Sequence, residues 1–147
     1  MIAPGDTAPD FEAPIQDGTP LKLSSLRGAP VVLYFYPKAD TPGCTIEAKG
    51  FRDHYAEYRA KKVHVVGVST DDCPEQQAFA GKYGLPFPLV ADRSKAVATA
   101  YGVLSPRGVA RRVTFLIDAH GKVVDVVDNS SPDPHLDRAR TLFLASK

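Results

Sequence analysis

The chain has 147 residues, 44% of them hydrophobic, which is enough for one domain with a real core and too few for two. Its 18 basic side chains against 17 acidic ones leave a net charge of +1, so no basic field points to nucleic acid or a membrane surface. No apolar stretch approaches the roughly 20 residues of a membrane span, and the N-terminus lacks a basic start followed by an apolar core. Two cysteines are too few for a disulfide scaffold and suit a reducing compartment. The expectation is a soluble, cytoplasmic single domain over residues 1–147, with small molecules or other proteins as partners.

Residues 1–30 are rich in Pro and Gly. The Asp17-Gly18 turn signal between extended pieces around Phe11 and Leu21-Lys22-Leu23 predicts a hairpin laid against a main sheet. Val31 to Tyr36 then reads as a strand covered on both faces, followed by a helix from about Pro42 to Lys61 and a second buried strand over Val63–Val68. Strand, helix and strand make one right-handed parallel crossover. Asp72 or Cys73 caps the next helix, with Pro74 at its first position and Gly84 ending it. A shorter helix follows from Ser94 to Tyr101. Arg112–Ile117 and Lys122–Val127, joined by Asp118-Ala119-His120-Gly121, form an antiparallel pair. A closing helix from Pro134, capped by Asp133, carries Leu136, Ala139, Leu142 and Phe143 on one stripe. The order gives an α/β fold, a mixed sheet with helices on both faces.

Within this frame, Cys44 falls where the first buried strand hands over to a helix. A thiol there meets unpaired amide N–H groups and the positive end of the helix dipole, which favour a thiolate. Thr41 can cap this helix, and Pro42 loses nothing by lacking an N–H in the first turn. Ligands of open α/β sheets collect at the carboxyl ends of the strands, the edge on which Cys44 sits. Arg111-Arg112 enters an otherwise apolar strand, and a guanidinium near Cys44 would stabilise its thiolate and hydrogen-bond an oxygen substrate. Asp71-Asp72-Cys73 has no companion metal ligands and reads as a helix cap. His54, His64, His120 and His135 are scattered over a helix face, a strand, a turn and the tail, with no spaced ligand pair and no evident Cys-His dyad. No metal and no cofactor is expected.

These residues resemble the peroxiredoxins, specifically the bacterioferritin comigratory protein (PrxQ-like) branch, over nearly the whole chain. Gly5-Asp6-Thr7-Ala8-Pro9-Asp10-Phe11 is similar to the N-terminal segment of that family, and Pro37 through Thr41-Pro42-Gly43-Cys44-Thr45 matches its Pro-x-x-x-Thr-x-x-Cys motif. Gly67-Val68-Ser69, Tyr83 to Leu89 and Arg112 to Gly121 continue the likeness in order. The resemblance implies a thioredoxin-like fold with an N-terminal β-hairpin and a thiol peroxidase. Cys44 is then the peroxidatic cysteine, attacking a hydroperoxide and becoming a sulfenic acid, the first rung of cysteine oxidation. Thr41 and the Cys44 amide bind the peroxide, Arg112 supports thiolate and developing oxyanion, and Pro37 shields the thiolate. The family register Arg-x-Thr-Phe selects Arg112 over Arg111, and adjacent strand residues face opposite sides.

The chain departs from that family in its second cysteine. Positions 49 and 80, where members of this branch carry a resolving cysteine, are Lys49 and Ala80. Cys73 is the one other thiol, expected on the same sheet edge as Cys44. Three readings stand open: Cys73 resolves within the chain with thioredoxin as reductant, an external thiol resolves Cys44 directly, or Cys73 bridges two chains. A disulfide within the chain needs Cα atoms within roughly 7 Å, so the first turn at Cys44 would have to unwind. The rival function is a thioredoxin-like redox sensor or binding module, which needs a reactive thiol but not Thr41 and Arg112 as peroxide-binding groups. A disulfide oxidoreductase would carry Cys-x-x-Cys, and the chain has Cys44-Thr45-Ile46-Glu47. The lack of a long C-terminal extension resembles monomeric members.

Overall fold

A computed structural model describes residues 1–144; residues 145–147 of the expected domain lie outside the described residues. β1 (Glu12–Pro14) and β2 (Pro20–Lys22) form the N-terminal hairpin, a separate two-stranded antiparallel sheet. The main sheet takes β3 (Val31–Phe35), β4 (His64–Ser69), β5 (Leu89–Ala91), β6 (Val113–Ile117) and β7 (Val123–Asp128) in the order β5-β4-β3-β6-β7. β3 pairs parallel with β4, and β4 with β5, whereas β6 runs antiparallel to both β3 and β7. The hairpin docks on the β5 edge through a bridge between Ile15 and Val90. The Gln16 side chain strengthens this by accepting from Leu89 N at 2.7 Å and donating to Phe87 O at 3.2 Å. No described helix is long and apolar enough to cross a membrane.

Strand alternation splits the core into two layers. Val31, Leu33 and Phe35 point to one face with Val113, Phe115 and Ile117, covered by α4 (Ala96–Tyr101) and the N-terminal segment. Val32, Tyr34 and Tyr36 point to the other with Leu116, covered by α1 (Pro42–Asp53), α2 (Tyr55–Ala60), α3 (Cys73–Tyr83) and α5 (Asp133–Phe143). Even-numbered residues of β3 and β6 therefore share the face on which Cys44, also buried, packs. β3 is apolar on every residue because both its faces are covered.

The structure corrects several boundaries. The expected helix over 42–61 breaks at His54, whose backbone leaves the helical region and whose carbonyl accepts from both Glu57 N and Tyr58 N. The break lets Tyr58 pack fully buried against the Phe51 ring and Tyr55 against Phe87. α4 begins at Ala96 rather than Ser94, because the buried Asp92 carboxylate accepts from the Val97 and Ala98 amides and Lys95 is left-handed. Pro132, not Asp133, precedes the closing helix, and its carbonyl accepts from His135 N and Leu136 N; Asp133 is the first helical residue. Short β5 and a 3₁₀ turn over Leu23–Leu26 are additions to the expected elements. Of the two expected caps it is Asp72 that caps α3, in a capping box with Glu75, so that Cys73 is the first helical residue and Pro74 the second rather than the first, and Gly84 closes the helix in the left-handed conformation that glycine adopts without strain.

Candidate active site

The carboxyl end of β3 runs into Tyr36, whose amide still donates to Val68 O at 3.0 Å, and then into the loop Pro37–Thr41. Two anchors hold this loop. The Asp71 carboxylate accepts from Ala39 N at 2.7 Å and pairs with Lys38 at 3.2 Å. Asp40 occupies the left-handed region, at φ 59°, where its carboxylate is held by the Tyr83 hydroxyl at 2.6 Å and Lys82 Nζ at 2.9 Å. Asp tolerates that conformation better than most residues. Thr41 has the extended backbone of an N-cap, but its hydroxyl makes no capping bond; it donates to Lys38 O at 2.8 Å. The expected cap is thus a backbone cap only, with the hydroxyl turned into the loop.

Cys44 is the third residue of α1, in the turn whose amides lack acceptors within the helix. Its thiol is almost wholly buried, and Arg112 Nη2 donates to Sγ at 3.4 Å. Arg112 lies one residue before β6, and strand parity sends it to the face of Tyr34 and Tyr36. Arg111 points away and pairs with Asp128. Gly43 permits the approach: a Cβ there would stand 2.8 Å from Arg112 Nη2. Pro37 and Arg112 also line an open groove of about 330 Å³ whose walls include Val109, Ala110 and Ser130. Cys44, Thr41, Pro37 and Arg112 are therefore gathered at the mouth of one strand-to-helix turn.

Cys73 is the first residue of α3, partly exposed, and both thiols are free. Because β3 and β4 are parallel neighbours, α1 and α3 both start at the same sheet edge. Behind the two loops, Tyr36 donates to Gln76 Oε1 at 2.5 Å, and Gln76 donates to Ser69 Oγ at 2.9 Å and Val90 O at 2.8 Å. Ser69 in turn donates to Asp71 at 2.6 Å.

Two residues outside the expected site complete the surroundings of Arg112. Glu47, fully buried, accepts from Arg112 Nη1 at 2.7 Å, while Arg112 Nε donates to Ser130 O at 2.9 Å. His135, also fully buried, lies in α5, the expected closing helix, with Nδ1 3.7 Å from Glu47 Oε2. Burial pushes the Glu47 carboxyl up to about 8 against the pull of Arg112. Burial also pulls His135 below its ordinary value, partly opposed by the Asn129 carbonyl. Burial works against the Arg112 charge, yet Glu47 and Cys44 beside it hold the guanidinium above its ordinary value. The signals for both residues lay in periodicity. Glu47 is three residues from Cys44 in the buried stripe of Ala48 and Phe51, and His135 is four residues before Ala139 in the stripe of α5. Among the described residues no cluster of three or more His, Cys, Asp or Glu is placed to hold a metal ion.

Residues 4–126 match the model of the AhpC/TSA family. Peroxiredoxin Bcp of Escherichia coli K12 is 40% identical over 140 residues, covering 90% of this chain and 90% of that protein. Chloroplastic peroxiredoxin Q of Sedum lineare is 39% identical over 149 residues, covering 99% of this chain and 80% of the relative. The crystal structure of peroxidoxin BcpB from Mycobacterium tuberculosis superposes with a TM-score of 0.93 at 42% identity, covering 100% of this chain and 99% of that one. Five mixed strands flanked by helices and the N-terminal hairpin agree with these likenesses, so the chain has a thioredoxin-like fold and belongs to the AhpC/TSA family as a peroxiredoxin of the Bcp and Q kind.

Proposed function

We propose that the chain reduces hydrogen peroxide and organic hydroperoxides through Cys44. The observation that carries this reading is the 3.4 Å contact of Arg112 Nη2 with Cys44 Sγ in the first turn of α1. The Cys44 thiolate attacks the terminal oxygen of R–O–O–H. An S–O bond forms, the O–O bond breaks and RO⁻ leaves to take up a proton, so sulfur is oxidised by two electrons to S–OH and the peroxide is reduced to ROH. Arg112 stabilises the thiolate and then the charge that moves onto oxygen; such preorganised donors act most strongly in a dry site. The Thr41 hydroxyl, its proton committed to Lys38 O, offers lone pairs to the peroxide O–H. The Cys44 amide donates to the peroxide, and Pro37 walls the thiolate from water beside the groove.

Cys73 resolves the sulfenic acid: its thiolate displaces hydroxide, which leaves as water, and a Cys44–Cys73 disulfide is reduced by thioredoxin or another dithiol. The shared sheet edge and the Ala39–Asp71 link between the two loops support this assignment. We place the enzyme in the cytoplasm as a single-domain monomer. The near-neutral charge and the small number of large exposed apolar residues, Met1, Ile46, Leu104 and Val124 among the described residues, support that state.

Replacing Cys44 by Ser should abolish peroxide consumption coupled to thioredoxin and leave the circular dichroism spectrum unchanged. Retained turnover in Cys44→Ser would overturn the assignment. Cys73→Ser should lose turnover with thioredoxin while still forming the sulfenic acid; unchanged turnover would instead establish direct resolution by an external thiol.

A further inference from the structure

Glu47 is a buried carboxyl with two unequal oxygens. Oε1 accepts from Arg112, and Oε2 has no hydrogen-bond partner among the described residues. An ionised carboxylate in a dry site should gather donors on both oxygens. His135 stands beside Oε2, and its Nε2 lies 2.7 Å from Asn129 O. A carbonyl can only accept, so Nε2 carries the proton. Nδ1 then has no proton to give: its one lone pair accepts from the Thr114 hydroxyl at 2.7 Å, and it stands 3.7 Å from Oε2. A ring nitrogen without a proton leaves negative charge on Oε2 with no donor to compensate it. His135 and Arg112 also brace one segment, because Asn129 O accepts from His135 and the adjacent Ser130 O from Arg112.

We propose that Glu47 holds a proton at neutral pH, kept there by His135 locked in its Nε2–H tautomer, so that the charge of Arg112 is left to the Cys44 thiolate. His135 and Glu47 are thus positioning residues that act through Arg112. This inference rests on the peroxidase reading only in assigning Cys44 as the reactive thiolate. The other groups facing the pair are Cys44 on the same helix, Arg112 before β6, Asp128 at the end of β7, which acts on His135, and the Tyr34 phenol on β3, which feels Glu47. Asp128 is itself paired with Arg111. When Glu47 loses its proton, Arg112 faces two buried anions, and the second works against the first.

The test is the rate of Cys44 alkylation by iodoacetamide between pH 6 and 9.5 in Cys73→Ser protein, which reports the thiolate without peroxide. The parent profile should carry two overlapping steps, one of them with Glu47 at about pH 8. Glu47→Gln keeps an acceptor for Arg112 and should collapse the profile to one step, with alkylation at pH 8.5 faster by about threefold or more. Superimposable profiles would overturn the proposal. His135→Gln places an amide donor beside Oε2 and should move the Glu47 step to lower pH; an unmoved step removes His135 from the device. Infrared difference spectra of the unaltered chain at pH 7 give a readout independent of variant folding. A buried carboxylic C=O band absent from Glu47→Gln is expected, and identical spectra would contradict the assignment. Loss of peroxide turnover by the unaltered enzyme would sink the peroxidase reading and leave these outcomes readable.

Discussion

Two buried carboxyl groups flank the loop that delivers Cys44, and they are built in opposite ways. Asp71 is saturated: Ala39 N, the Ser69 hydroxyl and Lys38 all donate to it. Glu47 is buried more completely yet has one donor, Arg112, and one oxygen left over. A saturated carboxylate fixes geometry, since every donor it holds has been paired within the fold. An under-supplied carboxyl favours its protonated form, and its charge state responds to small changes nearby. The loop is thus pinned on the α3 side and tuned on the α5 side.

The sharpest break in this contrast is Arg112→Ala. It removes the donor to Sγ and strands Glu47, and should slow Cys44 oxidation by about 100-fold or more in a stopped-flow peroxide assay. Arg112→Lys should recover little, since one ammonium cannot serve Sγ, Glu47 and Ser130 O in the same geometry. Asp71→Ala should show the reverse pattern. Leaving Ala39 N and Ser69 without their acceptor should cost about 2–3 kcal/mol in urea unfolding, with a smaller effect on the peroxide step than Arg112→Ala.

The pH dependence of stability sharpens the Glu47 half. Its folded value, about 8, lies above the ordinary 4.5, so between those limits the folded chain binds more protons than the unfolded one. The contribution is fully present below about 4.5 and is lost as pH rises through about 8. Relative to Glu47→Gln, the unaltered chain should lose stability on the order of a few kcal/mol between pH 5 and 8.5, read from urea midpoints. Parallel curves would contradict a raised carboxyl. The smallest expected effect belongs to Tyr83→Phe, which removes one of the two partners of Asp40 at an exposed rim and should cost about 1 kcal/mol or less in thermal unfolding.

Much of this was legible in the sequence, for reasons that differ by residue. The buried strands announce themselves by continuous apolar runs, and the hairpin after Ile117 by its turn residues. Strand parity, a fixed period of two, allows only one of Arg111 and Arg112 to face Cys44, and the family register Arg-x-Thr-Phe is what selected Arg112. The break at His54 was hidden, because an apolar stripe continues through it and only packing of Tyr55 and Tyr58 rewards the bend. The Thr41 hydroxyl could cap or turn inward with equal local logic, and the carbonyl of Lys38 decided it. The Glu47–His135 pair was invisible in one dimension, since its members meet only when α1 and α5 pack on the same sheet face. A charged residue within an apolar stripe was the trace it left.

The most direct test of Cys44 as the attacking thiol is intact-mass analysis with peptide mapping after one equivalent of hydroperoxide, in the unaltered chain and in Cys73→Ser. The expected result is one added oxygen on the Cys44 peptide of Cys73→Ser, and a Cys44–Cys73 disulfide in the unaltered chain. Oxygen on Cys73 with Cys44 still reduced would contradict it.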